Sequence, residues 1–180
     1  MASDKQESFR LGLGRVWSYF TITGNTISHI LGAGIYCSQG SLGTADWTIH
    51  GNTLTNCAPT STQSEASLYV ANGQGVRIAG NVIRRSDTVL FSGLRVQDCE
   101  DVGLVNNSVV FDTDQGVSTQ IAVRVVNSKR VAAVGNHAAI IGSAVQAFRV
   151  VSTASGDSDV VQHLGNVAKV SGGGSAYVED

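Results

Sequence analysis

The sequence predicts an all-β chain wound as a solenoid, a parallel β-helix of about six coils of 26–30 residues with a stacked asparagine ladder. Three observations predict it. The first is a recurring phrase: an apolar residue, a spacer, Gly-Asn, a spacer and another apolar residue. It stands at Ile22 to Ile27 (ITGNTI), Ile49 to Leu54 (IHGNTL) and Ile78 to Ile83 (IAGNVI), with weaker copies at Leu104 to Val109 (LVNNSV), Ala133 to Ala138 (AVGNHA) and His163 to Ala168 (HLGNVA). The asparagines Asn25, Asn52, Asn81, Asn107, Asn136 and Asn166 are 27, 29, 26, 29 and 30 residues apart. Such a period is the mark of a repeat architecture. The second is strict apolar alternation on either side of the phrase, which belongs to strands and not helices. The third is composition: 21 Gly, one Pro and only 14% charged residues, against about a quarter in ordinary domains.

Taken in order, residues 1–15 precede the first clear repeat, and Phe9-Arg10-Leu11 reads as a strand of a cap or of a preceding coil. Residues 16–180 form the β-helix domain. Each repeat opens with a strand ending at Gly-Asn. Its inward positions are Phe20 and Ile22, Trp47 and Ile49, Val76 and Ile78, Val102 and Leu104, Val131 and Ala133, and Val161 and His163. Alternation puts each pair on one face. The Gly-Asn bend follows, because Gly and Asn tolerate the left-handed conformation of a sharp turn. A short second strand comes next, such as Thr53-Leu54-Thr55. After a loop of variable length a third strand carries an in-out-in triplet: Ile35-Tyr36-Cys37, Leu68-Tyr69-Val70, Leu94-Arg95-Val96, Val123-Arg124-Val125, Phe148-Arg149-Val150 and Ala176-Tyr177-Val178. A polar bend closes the circuit. A leucine-rich repeat fits worse, since neither fixed Leu spacing nor a helix-like segment recurs.

The bulk numbers exclude several classes. A net charge of −2 supplies no basic field for nucleic acid. No apolar run is long enough to span a membrane, and the polar N-terminus shows no secretory signal. Three cysteines, Cys37, Cys57 and Cys99, do not make a complete disulfide framework.

The phrases GNTI, GNTL and GNVI, with GIYC, SLYV and GLRV on the opposite strand, resemble the right-handed parallel β-helix of the pectin-lyase-like superfamily. The resemblance covers residues 16–180 and is closest to phage tailspikes and other polysaccharide-binding or -degrading β-helices. It implies that substrate lies on the outer face of the sheet opposite the Gly-Asn phrase, walled by the variable loops. It also implies a homotrimer carried on a virion or an extracellular surface. The superfamily's hydrolase motifs (Asn-Thr-Asp, Asp-Asp, Gly-His-Gly) do not occur in the sequence, and its calcium-binding Asp cluster is missing from the predicted stripe.

The outward residues of the triplets are Tyr36, Tyr69, Arg95, Arg124, Arg149 and Tyr177, where a mixture of Thr, Ser, Lys, Asp and Glu would be ordinary. Tyr rings present apolar faces to sugars, and Arg presents a fork to carboxylate, sulfate or phosphate. The expected function is therefore recognition of a bacterial surface polysaccharide, anionic in character, with or without cleavage. The alternatives are a polysaccharide lyase or glycoside hydrolase and a structural trimeric shaft whose stripe is the subunit contact. Acids for a cleavage reaction would come from Asp87, Asp98, Asp112 and Asp114. No metal spacing occurs and no cofactor is expected.

Overall fold

The computed structural model describes residues 9–12, 19–30, 32–58, 66–86, 92–112, 120–141, 145–151, 162–172 and 175–179. All pairing among the strands is parallel, and three faces can be followed along the stack. Sheet I holds Phe9–Gly12, the first parts of Ile35–Thr44 and Ala66–Ala79, then Ser92–Gln97, Gln120–Val126, Val145–Val151 and Ser175–Glu179. Sheet II holds Phe20–Thr23, Trp47–His50, the second part of Ala66–Ala79, Glu100–Val105, Lys129–Val134 and Gln162–Leu164. Long strands run around the corner between the two, so they count as one twelve-stranded sheet. Sheet III is separate and stacks six short strands: Thr26–Ser28, Thr53–Thr55, Val82–Arg85, Ser108–Phe111, His137–Ile141 and Val167–Ser171.

The core is what the alternation prescribes. Ile35, Leu68, Leu94, Val123 and Phe148 form one inward column of sheet I, and Trp47, Val76, Val102 and Val131 form one of sheet II. Leu54, Ile83, Val109 and Ala138 do the same in sheet III. Each large apolar member contributes about 1.5–3 kcal/mol by leaving water. No coil can bury its face alone, so the columns stabilise only as a stack.

At the bend between sheets II and III the asparagines form the expected ladder. The Asn81 amide nitrogen donates to Asn107 Oδ1 at 3.0 Å and to the Ile49 carbonyl at 2.9 Å. Its backbone N–H donates to Asn107 Oδ1 at 3.1 Å. Its own Oδ1 accepts two bonds at 3.0 Å, from the Asn52 backbone and side chain. Asn25, Asn52, Asn107 and Asn136 each donate to the next asparagine in the same way. The left-handed residue is not the ladder asparagine but the residue before it: Gly24, Gly51, Gly80, Gly135 and Gly165, with φ between 61° and 68°. Asn106 takes that place in the fourth repeat at φ 51°. The ladder asparagine is thereby left in ordinary backbone with its side chain turned inward.

A second, less regular ladder ties the bend between sheets I and II. Gly73 N–H donates to Cys99 Sγ at 3.4 Å, and Cys99 N–H donates to Ser128 Oγ at 3.1 Å. Cys99 thus occupies the bend position that Ser128 fills one coil further on. Asn72, Asp98 and Asn127 open these bends with left-handed φ of 58°, 51° and 45°.

Replacing Asn81 by Ala removes the acceptor for two Asn52 donors and takes one donor from the Ile49 carbonyl. The expected loss is about 3–4 kcal/mol, at 1–3 kcal/mol per stranded buried group. The same change at exposed Asn25 should cost under about 1 kcal/mol. Urea unfolding compares the two, and equal losses would refute the ladder as the tie between coils. Burial pushes the Cys37 thiol up to about 12 and the Cys99 thiol up to about 11, from an ordinary 9.0. Unfolded chain therefore loses these protons first, and stability should fall as pH rises from about 9 towards 11. A thiol-reactive dye should label either residue only as fast as the protein opens. Rapid labelling of the native protein at pH 8 would contradict this.

Candidate functional site: the outer stripe of sheet I

Register, not sequence proximity, builds the stripe. Arg10 pairs with Tyr36, Tyr36 with Tyr69, Tyr69 with Arg95, Arg95 with Arg124, and Arg124 with Arg149. In-register parallel strands repeat about every 4.8 Å, so these positions form one column along the solenoid axis. Arg10 extends the column by one coil. Its alternation was visible in the sequence, but without a Gly-Asn phrase before it there was no register to count from.

Tyr36 and Tyr69 meet edge to face, with ring centroids 5.2 Å apart. The Arg95 guanidinium carbon lies 5.2 Å from the Tyr69 centroid, a cation–π contact. Arg95 is buried, while Tyr36, Tyr69, Arg124 and Arg149 are half-buried. The phenol of Tyr69 is pushed above its ordinary pKa, chiefly by burial, with the Arg95 charge pulling the other way. It is therefore a neutral hydroxyl at neutral pH.

Tyr177 does not belong to this column. Ser175–Glu179 pairs so that Tyr177 matches Phe148 and Val178 matches Arg149. The triplet Ala176-Tyr177-Val178 is thus read one residue out, and a one-residue slip exchanges the two faces of a strand. The physical preference is clear. In the Phe148 column Tyr177 continues an apolar stack, whereas Ala176 would cover little of it. With Phe148, Asn166, Ala168 and Ala176, Tyr177 lines a depression of about 320 Å³.

The acids are placed as follows. Asp98 sits in the bend after its sheet I strand. Its Oδ2 accepts from Gln97 Nε2 at 2.9 Å and its Oδ1 from Asn127 Nδ2 at 2.6 Å. Asp112 ends a strand of sheet III and pairs with Arg84 at 2.6 Å. Asp98 follows a strand of sheet I, whereas Asp112 follows a strand of sheet III, and each is engaged by its own neighbours. Asp87 and Asp114 lie outside the described residues. On sheet II, Arg130 pairs with Asp101 at 2.6 Å and with Glu100 at 3.0 Å. The hydrogen bond from Arg130 holds Asp101 down to about 2. Among the described residues no group of three His, Cys, Asp or Glu could hold a metal ion.

Sequence reasoning missed Gln97. Its Oε1 accepts from the Tyr69 hydroxyl at 3.0 Å and from an Arg95 Nη2 at 2.5 Å. The signal was its place two residues after Arg95, on the same face of the strand.

A stacked parallel solenoid with one asparagine per coil and an aromatic-cationic outer column defines a class, that of β-helix proteins. The chain belongs to the right-handed beta helix family, whose model matches residues 12–156. Among curated proteins and among solved structures no match is found. The fold is compatible with polysaccharide binding or degradation.

Proposed function

We propose that this chain binds an anionic bacterial surface polysaccharide along the outer face of sheet I, in the manner of a phage tailspike. The observation that carries the reading is the register that stacks Tyr36, Tyr69, Arg95, Arg124 and Arg149 in one column. Tyr rings supply faces for sugar C–H groups, and the Arg forks supply anion sites at the spacing of the coils. A linear polymer parallel to the axis would meet all five. Assembly as a homotrimer on a virion or cell surface belongs to the same proposal, and exposed Val105 and Leu164 on sheet II offer it apolar surface to bury. Recognition is favoured over cleavage because Asp98 and Asp112 are each engaged by neighbours.

The test is affinity electrophoresis or calorimetry against capsular and lipopolysaccharide glycans. Arg124→Ala combined with Arg149→Ala should weaken binding at least about 100-fold, from two charge-assisted contacts. Binding should also weaken as salt is raised. Undiminished binding by the double variant would overturn the proposal. New reducing ends or unsaturated sugars in the incubation would instead favour a hydrolase or lyase. Light scattering that finds a monomer would remove the trimer.

A further inference from the structure

Gln97 has its amide orientation dictated from both sides. Asp98 Oδ2 can only accept, so the Gln97 atom 2.9 Å away is the NH2 group. The Arg95 guanidinium can only donate, so the atom facing it is the Gln97 carbonyl oxygen. Asn127, donating to the other Asp98 oxygen, holds the carboxylate in place. The same Gln97 oxygen lies 3.0 Å from the Tyr69 hydroxyl, which must therefore donate to it. The chain Asn127 to Asp98 to Gln97 to Tyr69 and Arg95 leaves no alternative assignment of donors and acceptors. Tyr69 has one hydroxyl proton, and it is spent on Gln97. Its oxygen can meet a ligand only as an acceptor.

From this we infer that Gln97, oriented by Asp98, is a specificity-determining residue that makes the Tyr36–Tyr69 end of the stripe select a hydroxyl- or amide-donating neutral sugar and refuse an anion. The inference rests on the polysaccharide reading above and sharpens it. A carboxylate or sulfate oxygen brought to Tyr69 would either face a second acceptor with no proton between them or draw the hydroxyl proton off Gln97, whose oxygen would keep only the Arg95 bond. A sugar hydroxyl or N-acetyl N–H would complete the bond. Anions are then left to the Arg124 and Arg149 coils, two and three strands along the column. The ligand class is a heteropolymer in which neutral and acidic sugars alternate, bound in one direction along the axis. A uniform polyuronate would put a charge on the aromatic end. Asp98 is thus a positioning residue, acting through Gln97.

Two measurements on the full chain test this. The first needs no ligand. The Raman Fermi doublet of tyrosine separates hydroxyl donors from acceptors by its intensity ratio, and subtracting the Tyr69→Phe spectrum isolates Tyr69. A donor-type doublet is expected in the wild type, lost in Gln97→Leu. It should return in Gln97→Glu combined with Asp98→Asn, which reverses the donor and acceptor between the two positions but keeps an acceptor for Tyr69. A doublet indifferent to Gln97→Leu overturns the inference whatever the protein binds. The second compares binding of hyaluronate, an alternating neutral and acidic polymer, with polygalacturonate. The wild type should prefer hyaluronate by about tenfold, one hydrogen bond's worth, and Gln97→Leu should erase the preference. Equal preference in wild type and variant overturns the selection while leaving the stripe's binding intact. Failure of the wild type to bind either polymer, with the donor doublet present, overturns the polysaccharide reading and the selection with it.

Discussion

Everything in this molecule depends on coils being held in register by one amide per turn. Each buried asparagine uses its side chain to bond the coils before and after it, so a slip of one residue would break several bonds at once. Apolar columns alone would be less exacting, because Ile, Leu and Val tolerate exchange within a core. Hydrogen bonds between buried polar groups are less forgiving, since a stranded partner costs the full desolvation penalty. The ladder therefore specifies alignment, and the columns supply most of the stabilisation. Glycine at the left-handed position before each asparagine permits the turn that aims the amide inward. Where Asn106 replaces it, the fold accepts a residue type that visits this region more readily than most.

That register is also what makes a surface out of residues 26 to 33 positions apart. Tyr36, Tyr69 and Arg95 form a run of ring-on-ring and cation-on-ring contacts only because their strands align pair by pair. Gln97 and Asp98 then convert a row of side chains into a surface with defined polarity. Their hydrogen bonds fix which atoms of Tyr69 and Arg95 can still serve a ligand.

Much of this was legible in the chain. The Gly-Asn interval announced the solenoid, the alternation announced the core, and counting from the asparagines located Tyr36, Tyr69, Arg95, Arg124 and Arg149 on one face. Tyr177 was misplaced because Ala-Tyr-Val satisfies the triplet in two registers. Only pairing with Phe148 decides between them. Asp98, a candidate acid at the end of its strand, is held by Gln97 and Asn127. Cys99 is a buried thiol that stands in for Ser128's hydroxyl in a second bend ladder. The cross-coil contacts among these join residues 26 to 29 positions apart through side chains of different types, so no repeated letter marks them.

The sequence by itself determined the winding: which residues face in, where each bend falls, and which column carries Tyr and Arg. It could do so because period, alternation and turn chemistry are local properties that repeat. Tertiary structure alone decided how the outward side chains spend their donors and acceptors. Gln97 reaches Tyr69 across a neighbouring strand, and Asp98 meets Asn127 one coil away. The polarity of the stripe arises there, from cross-coil hydrogen bonds whose partners come together only once the solenoid has wound.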